Sequence, residues 1–173
     1  PMRCAIFTAT PTGTLLARRI RAALPGETVI FAKAGQSQAG MAGYERLAAA
    51  VAEAFPRYDA LVFVMAAGIA VRVLAPQLKS KLRDPAVLVL DERGQHVISL
   101  LSGHVGGANA LARSLAMALG AEPVITTATD VEGCMAVDAL GAELGLRPWP
   151  KEAIKALNAA SLQGKPISFW LEP

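Results

Sequence analysis

Aromatic residues make up only 5% of this 173-residue chain, and histidine and cysteine occur twice each. Cys4 and Cys134 are too few and too far apart for a disulfide framework or a zinc site. Neither stands in a Cys-x-x-Cys pair, so both read as buried thiols. No apolar run reaches the roughly 18 residues that a membrane span needs. The N-terminus does not read as a signal peptide, because the Cys4–Thr10 stretch is short, mixed and soon interrupted by Pro11. A soluble cytoplasmic protein is the expectation. The formal charge of +3 is too modest, and the aromatics too sparse, for a nucleic-acid surface, which shows a dense basic stripe interleaved with aromatic side chains. Metal-ligand spacing is missing. So are the Gly-Lys-Ser/Thr ending of a P-loop and the glycine spacing of a dinucleotide fingerprint.

A hydrophobic fraction of 53% with 18% charged residues suits a compact α/β protein with a largely buried sheet. The length allows one domain with a small appendage, expected as residues 1–145 and a segment 146–173 that packs on it or starts a linker. Arg3–Phe7 reads as a strand, followed by the hydroxyl-rich turn Thr8–Thr14. A helix to about Leu24 then has Leu16, Ile20 and Leu24 inward and Arg18, Arg19 and Arg21 outward. Val29–Ala32 is a second strand, Gly35–Gly43 a glycine- and glutamine-rich mobile loop, and Tyr44–Phe55 a helix stopped by Pro56. The uninterrupted apolar run within Tyr58–Ala66 predicts a central strand covered on both faces. A short helix Ile69–Leu74, a strand Ala86–Leu90 and a four-residue loop Asp91–Gly94 follow. That loop is short enough for an antiparallel return into His96–Leu101.

The stretch Val97–Asp130 organises the rest. A strand enters the turn Ser102-Gly103-His104-Val105-Gly106-Gly107-Ala108-Asn109, a helix leaves it with Leu111, Leu115 and Leu119 at four-residue spacing, and Gly120 ends that helix. A strand Pro123–Thr127 then runs into Thr126-Thr127-Ala128-Thr129-Asp130, completing a βαβ-type unit with both polar turns at one edge if its strands are parallel. Beyond Asp130 the pattern predicts helices at 137–144 and 152–160, a break at Pro148-Trp149-Pro150 and a last strand Ile167–Leu171. The expected architecture is a three-layer αβα sandwich with a mixed, mainly parallel open sheet.

Each polar constellation has a chemical and a structural reading. The Gly103–Gly107 amides could cradle an anion at a helix N-terminus, or Gly106 and Gly107 could serve close packing alone. His104, a titratable group in a glycine turn, is the first candidate for proton transfer, with a turn-capping role as the alternative. His96 falls in strand register and reads as structural or exposed. Asp130 could orient His104 or activate water, with Thr126, Thr127 and Thr129 holding polar ligand groups. It could instead cap the next segment. Asp84 and Asp91 read as turn residues. Arg72, Lys79, Lys81 and Arg83 form a basic cluster, either a solvated face or a surface for an anionic small molecule, and Arg72 suits forked carboxylate recognition.

The strings Gly68-Ile-Ala-Val-Arg72, Leu74-Ala-Pro76, Lys81 with Asp84-Pro-Ala-Val87, Leu100–Asn109 and Val124–Asp130 together resemble the N-terminal part of the CbiG family, and Pro148–Leu171 resembles its middle region. The resemblance implies a cobalt-precorrin-5A hydrolase of the anaerobic cobalamin pathway. Such an enzyme opens a δ-lactone with water and releases acetaldehyde, giving cobalt-precorrin-5B. It implies no cofactor, since cobalt arrives inside the substrate, and a corrinoid partner whose acetate and propionate groups would meet Arg72, Lys79, Lys81 and Arg83. Within that chemistry His104 or Asp130 is the base, and Lys81 or the glycine-turn amides hold the oxyanion. Ser102, Gly103, Gly106, Gly107, Asn109 and the three threonines are expected to contact substrate. Ser102 lacks a nucleophile-elbow context and is expected to cap the helix. The family pattern includes a further C-terminal domain, expected in the same chain or as a separate subunit. Two rival readings are a non-catalytic corrinoid-binding subunit and a nucleotide-binding regulatory domain using the Thr8–Thr14 and Gly103–Gly107 turns together.

Overall fold

The computed structural model describes residues 2–80, 83–104, 106–131, 137, 140, 141, 144, 150, 153–168 and 170. Seven strands run in chain order as β1 (Arg3–Thr8), β2 (Glu27–Lys33), β3 (Ala42–Tyr44), β4 (Ala60–Val64), β5 (Ala86–Leu90), β6 (His96–Leu101) and β7 (Glu122–Val124). They form one sheet in the order β3-β2-β1-β4-β5-β6-β7. All pairs are parallel except β5 with β6. The central strand is β4, and all five of its residues are buried, as its uninterrupted apolar run requires.

Alternation along the strands sorts the core into two faces. Ile6, Val62 and Leu88 meet Leu16 and Ile20 of α1 (Pro11–Ala23) and Ala112 and Leu115 of α4 (Ala108–Leu119). Phe7, Phe63 and Val89 meet Val51 of α2 (Leu47–Ala54) and Ala70 and Leu74 of α3 (Ala67–Leu74). Helices therefore cover both faces, as a three-layer αβα sandwich demands. The scarce aromatics are concentrated on the second face. Phe31, Phe7 and Phe63 lie level on neighbouring strands and stack at 5.0 and 5.2 Å, with the Tyr58 ring edge-on to Phe31 at 6.0 Å.

Several elements depart from the sequence expectation. The end of the expected loop 35–43 forms edge strand β3, and Tyr44, expected to open a helix, lies in that strand. Its ring is buried and its hydroxyl donates to the Thr8 carbonyl at 2.9 Å, so α2 starts only at Leu47. Strand β7 is three residues long, and Ala128–Val131 form a short helix, α5, where a turn was expected. Residues 167, 168 and 170 of the expected last strand are not in a strand.

The chain divides into two compact units, Pro1–Val124 and Ile125–Pro173. The second holds α5 and α6 (Ala153–Leu162). The division expected at 145/146, the Pro148-Trp149 part of the break and half of the helix expected at 137–144 fall outside the described residues.

Candidate active site at one edge of the sheet

The reversal of β6 decides where the glycine turn lies. Strands β1, β4 and β5 run one way, and Val87 near the start of β5 pairs with Leu101 at the end of β6. The turn that follows β6 is therefore at the amino edge of β1–β5, beside the loop that leads into β5. Because β6 and β7 are parallel, β7 also ends at this edge.

Asp84 builds the loop before β5. Its carboxylate accepts the Lys79 amide at 3.0 Å and the Ser80 amide at 3.0 Å, while the Arg83 and Asp84 amides donate to the Ser80 carbonyl. Asp84 is thus a turn residue whose charge organises the backbone that carries Lys79 and Arg83. Ser102 joins this loop to the glycine turn, its hydroxyl donating to the Asp84 carbonyl at 2.9 Å. It does so with φ of +58°, the left-handed region that L residues avoid. The expected helix-capping role of Ser102 is not found, because Gly107 occupies the position before α4.

Inside the turn, the Gly107 amide donates to the His104 carbonyl at 2.9 Å. The Ala108 amide donates to Ser102 at 3.1 Å and the Asn109 amide to Gly103 at 3.0 Å. The first amides of α4 are therefore satisfied by the loop itself, which removes Gly107 from the expected anion cradle. Gly106 is required by space: a Cβ there would lie 2.4 Å from Ser102 Cβ. Gly107 is required by its φ of +82°. Asn109 is buried and accepts from the Ser99 hydroxyl at 2.6 Å, and it fills the space that leaves Gly103 no room for a side chain. His104 is half-buried in this bracket of bonds. Lys81 lies outside the described residues.

A cleft of about 500 Å³ opens beside the turn, and Gly106 and Asp84 reach its lining. Arg3, Arg57, Lys79 and Arg83 bring four cations to it, against the carboxylates of Asp59 and Asp84. Asp59 is engaged by Arg3, accepting its amide at 2.8 Å and standing 3.8 Å from its Nε. The strand starts are laced together below it, with the Asp59 amide donating to Arg3 and the Ala86 amide to Asp59. Arg57 was not evident from the sequence, because only the parallel pairing of β1, β4 and β5 brings the entry of β4 beside Lys79 and Arg83.

Arg72 does not join this group. Its guanidinium donates to the Gly68 carbonyl at 3.1 Å, one turn back toward the start of α3, which follows the carboxyl end of β4. The basic cluster of the sequence is thus split between edges. The nucleotide site built from both turns is excluded for the same reason: Thr8–Thr14 follows β1 at the carboxyl edge, whereas Gly103–Gly107 lies at the opposite one.

Several polar groups of that carboxyl edge are bonded within the chain, although the buried Thr8 hydroxyl at the end of β1 has no hydrogen-bond partner among the described residues. Thr10 caps α1 by accepting from the Gly13 amide at 3.0 Å, and its hydroxyl donates to Glu92 at 2.7 Å, bridging the exits of β1 and β5 across β4. Asp91 accepts the amides of Arg93, Gln95 and His96 and stands 3.4 Å from His96 Nδ1. Partial burial raises its carboxyl, but the backbone bonds from His96, Gln95 and Arg93, with the His96 side chain, outweigh this and hold it below the usual value. Cys4 is fully buried, and burial alone pushes its thiol up to about 12, which makes it an inert core residue.

In the second unit, the Thr127 hydroxyl donates to Asp130 at 2.7 Å and the Asp130 amide donates to the Thr127 carbonyl at 3.0 Å, an arrangement that starts α5. Thr126 is exposed, and the Thr129 side chain lies outside the described residues. Among the described residues no three His, Cys, Asp or Glu side chains form a metal-binding group, and no helix is long and apolar enough to cross a membrane.

Residues 49–130 match the family described as cobalamin synthesis G N-terminal, CbiG_N. That span takes in β4, the basic loop, the glycine turn and Asp130. The cobalt-precorrin-5A hydrolase of Salmonella typhimurium is 47% identical over 172 residues, covering 98% of this chain and 48% of that protein. The Priestia megaterium protein of the same name is 52% identical over 107 residues, covering 62% of this chain and 28% of that protein. A crystal structure described as a cobalamin biosynthesis protein G homolog from Sulfolobus solfataricus superposes with a TM-score of 0.58 at 26% identity, over 99% of this chain and 50% of that one. The chain spans about half the length, or less, of the relatives it matches. Residues 49–130 therefore carry the CbiG N-terminal family match, and the glycine-turn motifs, the α/β sheet and these relatives agree with that similarity.

Proposed function

We propose that this chain carries the hydrolase site of a cobalt-precorrin-5A hydrolase, with the glycine turn and the basic loop as its centre. The observation that carries the reading is the Ser102–Asp84 bond, which joins the turn bearing His104 to a loop whose Lys79 and Arg83 meet no carboxylate among the described residues. The names of the relatives at 47% and 52% identity support the same activity.

The chemistry asks for four proton transfers and one charge to be held. Water adds to the lactone carbonyl, and His104 takes its proton. The tetrahedral oxyanion then collapses to a carboxylate as the ring C–O bond breaks and the released oxygen is protonated. Loss of the proton from that new hydroxyl starts the second step. The oxygen electrons form the acetaldehyde carbonyl, the carbon–carbon bond breaks, and its electron pair passes into the conjugated macrocycle, where a proton is taken up. With Gly107 engaged internally, the oxyanion falls to a cation of the 79–83 loop, Lys81 by its sequence position. Lys79 and Arg83 receive peripheral carboxylates of the corrinoid, and Asn109 keeps Gly103 in place rather than touching substrate. Asp130, with Thr126, Thr127 and Thr129, is proposed for polar groups of the substrate. Cobalt enters as part of the substrate, and a separate C-terminal domain or subunit is the proposed partner.

Anaerobic incubation of this chain with cobalt-precorrin-5A, with trapping of acetaldehyde and mass spectrometry of the corrinoid, tests the reading. Acetaldehyde with the ring-opened product is expected. Substrate that binds and stays unchanged would remove the chemistry from this chain.

A further inference from the structure

Resting on the corrinoid reading above, the geometry points to a carboxylate-recognition subsite in the amino-edge cleft. We infer that Arg57 is its third cation, acting with Lys79 and Arg83, and that Arg72 has no part in it.

Three observations carry this. First, the two acids of the cleft are already in use, Asp59 by Arg3 and Asp84 by the Lys79 and Ser80 amides. Among the described residues no carboxylate forms an ion pair with Arg57, Lys79 or Arg83. Among the described lining residues four cations thus face two carboxylates, and the excess of positive charge suits a ligand with several carboxylates, to which arginine offers a two-pronged contact. Second, the cleft also has an apolar lining, Phe55 and Tyr58 among it, and the edge-on contact of Tyr58 with Phe31 steadies that ring from the core side. Apolar surface with peripheral cations fits a flat, largely apolar ring fringed by acids. A compact anion such as phosphate would leave the apolar wall unused. Third, Gly106 reaches the same lining, so a ring anchored there stands beside the turn that carries His104.

The test uses two corrinoids of the same shape: cobyrinic acid, whose side chains end in free carboxyls, and cobinamide, whose side chains are amidated. Binding of each to this chain is followed by titration calorimetry. The expected result is that Arg57→Ala weakens cobyrinic acid by about ten-fold, as loss of one charge-assisted contact should, and leaves cobinamide unchanged. Arg57→Lys restores part of the loss and Arg72→Ala changes neither ligand. Arg57 is exposed, and an unchanged melting temperature shows that the variant is folded. Equal affinity of wild type and Arg57→Ala for cobyrinic acid would overturn the subsite while leaving the corrinoid reading intact. Failure of wild type to bind either corrinoid would overturn both.

Discussion

The two edges of this sheet differ in what their polar groups do. At the carboxyl edge of β1–β5, where open α/β sheets usually hold ligands, Thr10 is tied to Gly13 and Glu92, Asp91 to three amides, and Arg72 to Gly68. At the amino edge the acids are engaged, while Arg57, Lys79 and Arg83 meet no carboxylate among the described residues. The usual rule is still obeyed by β6 and β7. Because β6 reverses direction, its carboxyl end delivers the glycine turn to the amino edge of the other strands. One antiparallel pairing therefore moves the glycine turn across the sheet.

The comparison breaks most sharply if chemistry survives without the histidine. His104→Ala should lower acetaldehyde release by about 10²–10⁴-fold, the usual worth of a general base. Thr10→Ala, at the opposite edge, should leave it unchanged. Next in size is Gly106→Ala. Its new Cβ meets Ser102 Cβ and, at 2.8 Å, the Ser102 carbonyl oxygen, so the turn must shift. A stability loss of about 1–3 kcal/mol, read in a denaturant titration, should accompany a raised KM. Thr10→Ala itself removes a helix cap and should cost about 1 kcal/mol, with corrinoid affinity unaffected.

Asp91→Asn should have the smallest effect, and one that depends on pH. A carboxyl held below its ordinary value of 3.8 stabilises the folded state fully above that value and loses its contribution as pH falls through the lowered one. The melting temperature of the wild type should exceed that of the variant at pH 7 by a few degrees at most, since the group is partly exposed. The gap should close as the pH drops below about 4.

Much of the first unit was legible because local pattern and tertiary role agree. The apolar run of β4, the four-residue spacing in α4 and the short Asp91–Gly94 loop each specify their element almost unaided. Tyr44 was misread because its burial depends on Thr8, thirty-six residues away. The site was legible in part. His104, Ser102 and the glycines announce a special turn, but sequence adjacency placed Arg72 with Lys79 and Arg83, and only strand order separates them. Arg57 carries no local signal. It reaches the cleft through the pairing of β4 with β5, which no spacing encodes.

The proposed function puts the corrinoid at the amino edge of β1–β5. The most direct measurement is amide chemical-shift mapping of this chain titrated with cobyrinic acid in its diamagnetic cobalt(III) form. The shifts should concentrate at Arg57, Asp59, Lys79, Arg83 and Gly106. Shifts concentrated instead at Thr10, Ala66, Gly68 and Glu92 would put the ligand at the opposite edge and contradict the account.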